Sequence, residues 1–96
     1  MVMGQVVGTV VATHKDEKLR GAKLQIVQLV DLHLQPKDSF LVVVDSVGAG
    51  EGEIVLCASG SSARQTKATE NRPVDAVIMA IVDSFEVMGE VRYRKL

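Results

Sequence analysis

The sequence predicts a mainly β protein, a small five-stranded barrel with one short helix, in a single domain over residues 1–96. Five segments of similar length are rich in β-branched residues, which favour strands. Strands and helical patterns do not alternate along the chain, so a parallel doubly wound sheet is not expected. The 96 residues are 47% hydrophobic, which is enough for one modest core.

The first strand is predicted in the alternating N-terminal stretch MVMGQVVGTVVATHK; it contains Gly4, and over residues 6–14 (VVGTVVATH) β-branched residues line both faces. Gly4 and Gly8 predict a bend or a close approach of another backbone. A polar connection over 15–21 then leads to the second predicted strand, residues 22–32 (AKLQIVQLVDL).

A turn is predicted over residues 33–38, because Pro36 lacks the N–H group that a strand ladder requires. The third strand follows at residues 39–46 (SFLVVVDS). A glycine-rich loop separates it from the fourth strand, residues 53–59 (EIVLCAS).

Residues 60–73 are polar and have no strand pattern, and either Ser61 or Ser62 is expected to cap a short helix through residues 65–69. The fifth strand, or a pair of strands turning near Asp83 and Ser84, is predicted within VDAVIMAIVDSFEV. Residues 88–96 are expected to be a terminal extension that carries an exposed strand.

Composition argues against several functional classes. A net charge of -1 and an aromatic content of 3% give no basic, aromatic face for nucleic acid. No apolar stretch is long enough to cross a bilayer. One cysteine allows no internal disulfide framework and no zinc site built on several thiolates. We therefore expect neither nucleic acid nor membrane as a partner, and a location in the cytoplasm.

The glycine loop, SVGAGEGEIV, invites three interpretations: a phosphate cradle, a pair of catalytic carboxylates, or a tight corner. A dinucleotide fingerprint needs a helix after the loop, whereas a β-branched strand follows here. Glu51 and Glu53 would also repel phosphate. The preferred interpretation is a corner whose glycines adopt positive φ beside solvated or interfacial carboxylates.

No catalytic constellation is evident. The stretch GSSAR is not a nucleophile elbow, and nothing marks His14 or His33 as a base with an orienting acid. Cys57 lies among aliphatic residues and is expected to be a small buried hydrophobe. We expect no enzyme activity, no cofactor and no metal. Aliphatic residues in excess of what so small a core can bury favour a homo-oligomer.

Four stretches resemble the EutN/CcmL family, the vertex proteins of bacterial microcompartments: MGQVVGTVVAT, LRGAKLQIV, VDSVGAGEGEIVLCASGSSAR and RPVDAVIMAIVDSFEV. The resemblance extends from about Met3 to Val87. It implies a fold similar to the oligonucleotide-binding (OB) barrel, assembled as a ring-shaped homopentamer. Such rings occupy the five-fold corners of a protein shell in the bacterial cytoplasm, beside hexameric and trimeric shell proteins, and have no reaction of their own.

The resemblance also implies candidate residues at a subunit interface or an axial pore. The glycines of the loop would make the tight corner near a neighbouring subunit, and GSSAR would turn towards the ring axis or an interface. These candidates are Asp45, Gly48, Gly50, Gly52, Glu53, Gly60, Ser61, Ser62, Ala63 and Arg64. Ordinary turn chemistry within one subunit remains the alternative for them. For the whole chain the alternatives are a monomeric OB-type module that binds nucleic acid or a small ligand, and a hexameric ring.

Overall fold

A computed structural model describes residues 1–95, and five of its strands close into a barrel in the order β1-β2-β3-β5-β4. Neighbouring strands are antiparallel except β3 and β5, which are parallel and pair only at Val44–Val77 and Asp45–Ile78. The predicted five-stranded barrel is confirmed. Its strands are β1 (Val2–Val10), β2 (Leu24–Val30), β3 (Pro36–Asp45), β4 (Ile54–Ser59) and β5 (Ala76–Ile81).

The barrel interior is filled by β-branched side chains from every strand. All of them are almost completely buried: Val6, Val27, Val43, Val55 and Ile78. β-Branched residues pack well on a pleated surface and alternate in direction along each strand. The core therefore follows directly from the two-residue period of the strands.

Gly4 lies where β1 crosses closest to β2. A Cβ atom at this position would lie 2.4 Å from Val27 Cγ1 and 2.7 Å from the backbone oxygen of Gln28. The close backbone approach predicted for the β1 glycines is thus confirmed at Gly4. At Gly8 the pairing of β1 with β2 shifts register, as in a β-bulge.

The strand boundaries differ from the prediction at two places. β1 begins at Val2 and ends at Val10; it contains Gly4 and Gly8 as predicted, but it ends four residues before His14. Pro36 is the first residue of β3 rather than part of a turn. The first residue of a strand is a position where the missing N–H of proline is tolerated.

A short helix does follow β4, but it ends at Arg64 and does not extend through residues 65–69 as predicted. Within residues 1–95 the helical segments are two 3₁₀ helices, Glu17–Leu19 and Gly60–Arg64. Ser59 precedes the second one without a side-chain cap. Residues 66–69 form a tight turn instead, in which the hydroxyls of Thr66 and Thr69 are 2.7 Å apart. A stretch without an apolar stripe has no face to bury as a longer helix.

A hairpin follows the barrel, formed by β6 (Ser84–Val87) and β7 (Glu90–Arg94). The stretch 74–87 is therefore a strand pair, but its second strand belongs to this separate sheet. The predicted extension, residues 88–96, begins inside the hairpin turn, and its last residue, Leu96, lies outside the described residues. The rings of Phe85 and Tyr93 stack with centroids 6.3 Å apart. No helix among residues 1–95 has the length and hydropathy to cross a membrane.

Candidate functional site

Nine of the ten candidate residues flank β4, and the tenth, Asp45, is the last residue of β3. The glycine loop precedes β4, and the 3₁₀ helix Gly60–Arg64 follows it. A strand of six residues spans about 20 Å, so Glu53 and Gly60 lie in separate places on the barrel, whereas Val44, the neighbour of Asp45, packs against Ala63. The structure brings together Asp45 with Gly48 and Glu53 with Gly50, but it does not join the two groups into one site.

Asp45 organises the start of the glycine loop. Its side chain is fully enclosed, and Oδ1 accepts hydrogen bonds from the backbone N–H groups of Val47 and Gly48 at 3.0 and 2.9 Å. Oδ2 accepts one from Gln25 Nε2 at 2.8 Å. A carboxylate that accepts bonds from the backbone two and three residues ahead is the usual chemistry of an Asx turn.

The environment of Asp45 lowers the pKa of its carboxyl group. Burial acts in the opposite direction, but the backbone N–H groups of Val47, Ala49 and Gly48 outweigh it, with help from the Gln25 amide. Lys23 Nζ lies 3.7 Å from Oδ2. Because hydrogen bonds to a carboxylate favour its ionised form, Asp45 is a fixed negative charge that holds the loop.

Two of the three loop glycines adopt a backbone conformation that favours glycine over any other residue. Gly48 and Gly52 have φ values of 77° and 89°, a region that other residues rarely adopt. Gly50 does not have positive φ, so that expectation was wrong for this position. A Cβ on Gly50 would instead lie 3.3 Å from Glu53 Oε1. Gly50 donates its N–H to the same carboxylate, which leaves little room for a side chain.

Glu53 joins the loop to both ends of the chain. Its carboxylate pairs with Lys95 Nζ, and its backbone oxygen accepts from the N–H of Val6 at 3.0 Å. Lys95 and then the N–H of Gly50 lower the pKa of Glu53, and Glu53 in turn raises the pKa of Lys95. The N–H of Gly52 donates to the oxygen of Val6 at 2.8 Å. The loop is therefore bonded along β1.

One side of the 3₁₀ helix after β4 is buried against the barrel, and the other side is exposed. Ala63 is fully buried against Val44, Ala58 and Val77 on the outer surface of the barrel. Gly60 has a φ of 67° and donates its N–H to the oxygen of Asp75 at 2.8 Å.

Three other candidates of this helix, Ser61, Ser62 and Arg64, are exposed. Arg64 Nη1 donates to the oxygen of Val74 at 3.1 Å. The remaining guanidinium nitrogens are available for another acceptor, which a single planar guanidinium with five N–H donors can bind at the same time.

The residues with reactive chemistry stand apart from one another. Cys57 is a buried hydrophobe, as predicted, and burial raises the pKa of its thiol to about 11. His14 and His33 are exposed, and His33 Nδ1 lies 3.4 Å from Arg92 Nη1. Among residues 1–95, no three His, Cys, Asp or Glu side chains come together as a metal site would require.

Sequence reasoning missed two residues that hold the glycine loop. Gln25 is 3% exposed, although it lies in an alternating strand where a glutamine is usually on the wet face. Lys95 reaches Glu53 from 42 positions away. The only sequence signal for Gln25 is its place between Leu24 and Ile26, on the same face as Val27.

Comparison with known proteins places the chain in a family. Residues 1–83 match the family described as ethanolamine utilisation protein EutN/carboxysome. The chain belongs to the EutN/CcmL family. The vertex protein GrpN of Rhodospirillum rubrum, a bacterial microcompartment shell protein, is 48% identical over 89 residues, which cover 93% of this chain and 100% of GrpN. The carboxysome shell vertex protein CcmL of Nostoc is 47% identical, with 99% of this chain and 95% of CcmL covered.

Solved structures of EutN/CcmL proteins have the same fold. CcmL of Gloeobacter violaceus superposes with a TM-score of 0.95 at 43% identity, over 99% of this chain and 98% of that one. GrpN, described as a pentameric microcompartment shell protein, gives 0.84 over 91% of this chain and 99% of its own. A score as high as that with CcmL over nearly the whole chain requires the β6–β7 hairpin to superpose together with the barrel.

Proposed function

We propose that this protein forms homopentamers that cap the five-fold vertices of a bacterial microcompartment and close its polyhedral shell. The observation that carries the proposal is the likeness to GrpN, a pentameric shell protein that is 48% identical in sequence. The vertex proteins CcmL and EutN are similar to this chain over 99% of its length. A flat layer of six-fold tiles cannot close on itself, and five-fold rings supply the curvature.

The physical surface of one subunit supports assembly rather than catalysis. Large apolar side chains remain exposed on the outside of the barrel, among them Phe40, Val42 and Met79. Exposed apolar patches of this kind commonly mark contacts between proteins. The reactive groups, by contrast, do not converge on one another, and Cys57 is buried. We therefore propose a structural protein without a reaction of its own.

We also propose partners and a location for the ring. The ring contacts further copies of this chain, and its rim contacts the hexameric and trimeric tiles of the shell in the bacterial cytoplasm. It binds neither nucleic acid nor membrane. Relatives from a carboxysome and from another microcompartment are 47% and 48% identical to this chain.

We propose that the ten candidate residues form two groups with different roles in the ring. Asp45, Gly48, Gly50, Gly52 and Glu53 shape the loop that faces a neighbouring subunit. The exposed residues of the helix Gly60–Arg64 lie at a subunit contact or at the ring axis. Two observations support these roles. Arg64 uses one guanidinium nitrogen within its own subunit and keeps further N–H donors for a neighbour. The loop is held by hydrogen bonds to the carboxylates of Asp45 and Glu53.

Native mass spectrometry of the purified protein at dilute concentration tests the assembly. The expected result is a mass of five subunits that persists on dilution. Six subunits would contradict the vertex role, because a six-fold ring cannot fill a five-fold corner. A monomer would contradict the ring altogether and would favour a monomeric OB-type binding module.

A further inference from the structure

The outer face of β3 is exposed in a way that calls for a neighbour. Phe40 and Val42 point outward two residues apart and are 53% and 54% exposed. β3 pairs with β2 along its length from Pro36, but its opposite edge pairs with β5 only at Val44 and Asp45. Over residues 36–43 that edge has no partner strand in the part of the chain that the structure describes. Long, exposed, apolar edges are normally covered.

A groove lined by both apolar and polar side chains lies elsewhere on the same barrel. The groove has a volume of about 370 Å³ and lies on the outside of β4 and β5, beside the helix Gly60–Arg64. We name it the Met79 groove; its lining residues are Met1, Ala58, Ser59, Ser62, Gln65 and Met79. Methionine side chains adapt their shape and make favourable contacts with aromatic rings.

A subunit cannot place its own Phe40 in its own Met79 groove. In the parallel pairing of β3 with β5, Val44 lies beside Val77. Phe40 is four residues before that level and Met79 is two residues after it, so the two are about 20 Å apart along the strands. A Phe40 side chain that fills the groove would therefore come from another copy. Two different patches that fit each other make a head-to-tail contact, which closes into a ring when the rotation fits.

Charges beside the two patches are complementary. Asp38 is exposed and points to the same side of β3 as Phe40. Arg64 is exposed at the end of the 3₁₀ helix that contributes Ser62 to the Met79 groove, and it uses one nitrogen on Val74. A carboxylate and a guanidinium that meet across a contact fix its orientation as well as adding to its strength.

We propose that Phe40 of one subunit inserts into the Met79 groove of the next subunit around the ring, with Asp38 of the first facing Arg64 of the second. The inference rests on the proposed homopentamer and specifies how its subunits meet. Phe40 is the one aromatic side chain among residues 1–95 that is more than half exposed, and aromatic anchors that fill pockets carry much of the energy of protein interfaces.

A cysteine pair tests the contact. A chain carrying both Phe40→Cys and Ser62→Cys is purified, oxidised and run on a denaturing gel without reductant. We expect covalent chains of up to five subunits, because each ring contact joins the thiol introduced at position 40 to the thiol introduced at position 62 of the neighbour. Cys57 is buried and does not contribute. The matched control replaces Phe40→Cys by Val11→Cys, at a position that is 91% exposed and outside both patches, and should give no ladder.

A charge exchange tests the same contact without touching Phe40. Asp38→Arg alone and Arg64→Asp alone should each weaken subunit association about tenfold, and the double variant should restore it to within about threefold. A double variant that associates no better than the weaker single variant would overturn the proposed pairing.

The cysteine test has its own contradicting outcome. If native mass spectrometry shows the double-cysteine protein to be pentameric but oxidation leaves only monomers on the gel, the Phe40 contact is overturned while the pentamer stands. A wild-type protein that is not pentameric would instead contradict the proposed function.

Discussion

Gln25 Nε2 donates to Asp45 Oδ2 and to the backbone oxygen of Ala49, each at 2.8 Å. An amide nitrogen has two hydrogens, so this buried side chain uses both. One of its acceptors ends β3 and the other lies inside the glycine loop. A single side chain of β2 therefore holds the loop against the barrel.

Replacing Gln25 by leucine should destabilise the barrel. The substitution leaves Asp45 and the oxygen of Ala49 without this donor in a buried place, and an unsatisfied buried group costs about 1–3 kcal/mol. The measurement is urea unfolding at a fixed subunit concentration, because association adds to apparent stability. Gln28→Leu is the control: Gln28 lies on the same strand, but it bonds the oxygen of Lys37 in an exposed place. Equal losses in the two variants would contradict the role of Gln25.

Acid should weaken the fold through Asp45. Its folded pKa lies below the unfolded value of about 3.9, so its contribution is fully present above that value and is lost as pH falls through the folded pKa. Glu53 acts in the same direction, since its folded pKa is also lowered. We expect the unfolding temperature to fall steeply below about pH 4 in the wild type and less steeply in Asp45→Asn. The test is a series of melts across acidic pH, and parallel slopes for the two proteins would refute it.

The barrel could be predicted from sequence because its strands are short runs of β-branched residues, and such runs need no knowledge of their partners. The faces of β2 could not be assigned in the same way. Leu24 and Ile26 alternate with Gln25 and Val27, so both faces contain apolar residues, and the buried face is the one with Gln25. Burial of the Gln25 amide is favourable only because it finds hydrogen-bond acceptors at Asp45 and Ala49.

The glycine loop was recognisable, but its bonding partners were not. Lys95 and Val6 contact it from opposite ends of the chain, and residues so distant share no local pattern. Contacts between subunits are harder still to predict, since they leave no periodicity within one chain. Their trace in the structure is the exposure of large apolar side chains such as Phe40 and Val42.

Gly4→Ala should destabilise the protein, whereas Gly8→Ala should be tolerated. The added methyl at position 4 would lie 2.4 Å from Val27 and 2.7 Å from a backbone oxygen, which cannot give way without moving β2. Overpacking of this kind costs about 1–3 kcal/mol. At position 8 the nearest atom is 3.6 Å away, an ordinary contact. Thermal unfolding of the two variants side by side checks this, and a Gly4→Ala protein as stable as Gly8→Ala would contradict the close approach.

Met88→Asn should stabilise the β6–β7 hairpin. Met88 is fully exposed and has a φ of 51°, and Gly89 follows with a φ of 81°. Two central residues with positive φ are typical of a type I′ turn, for which Asn-Gly is the preferred pair. Asn enters the left-handed region with less strain than a long side chain, so the gain should be about 0.5–1 kcal/mol.

Because β6 and β7 form a sheet separate from the barrel, the gain should appear first in their amide hydrogen exchange, slowed severalfold relative to the wild type. Glu86→Asn, an exposed change in the extended part of β6, is the control and should not slow exchange. If Met88→Asn exchanged as fast as the control, the turn would not limit hairpin stability. Slower exchange in Met88→Asn with an unchanged subunit count would separate the hairpin from the contact that we assign to Phe40.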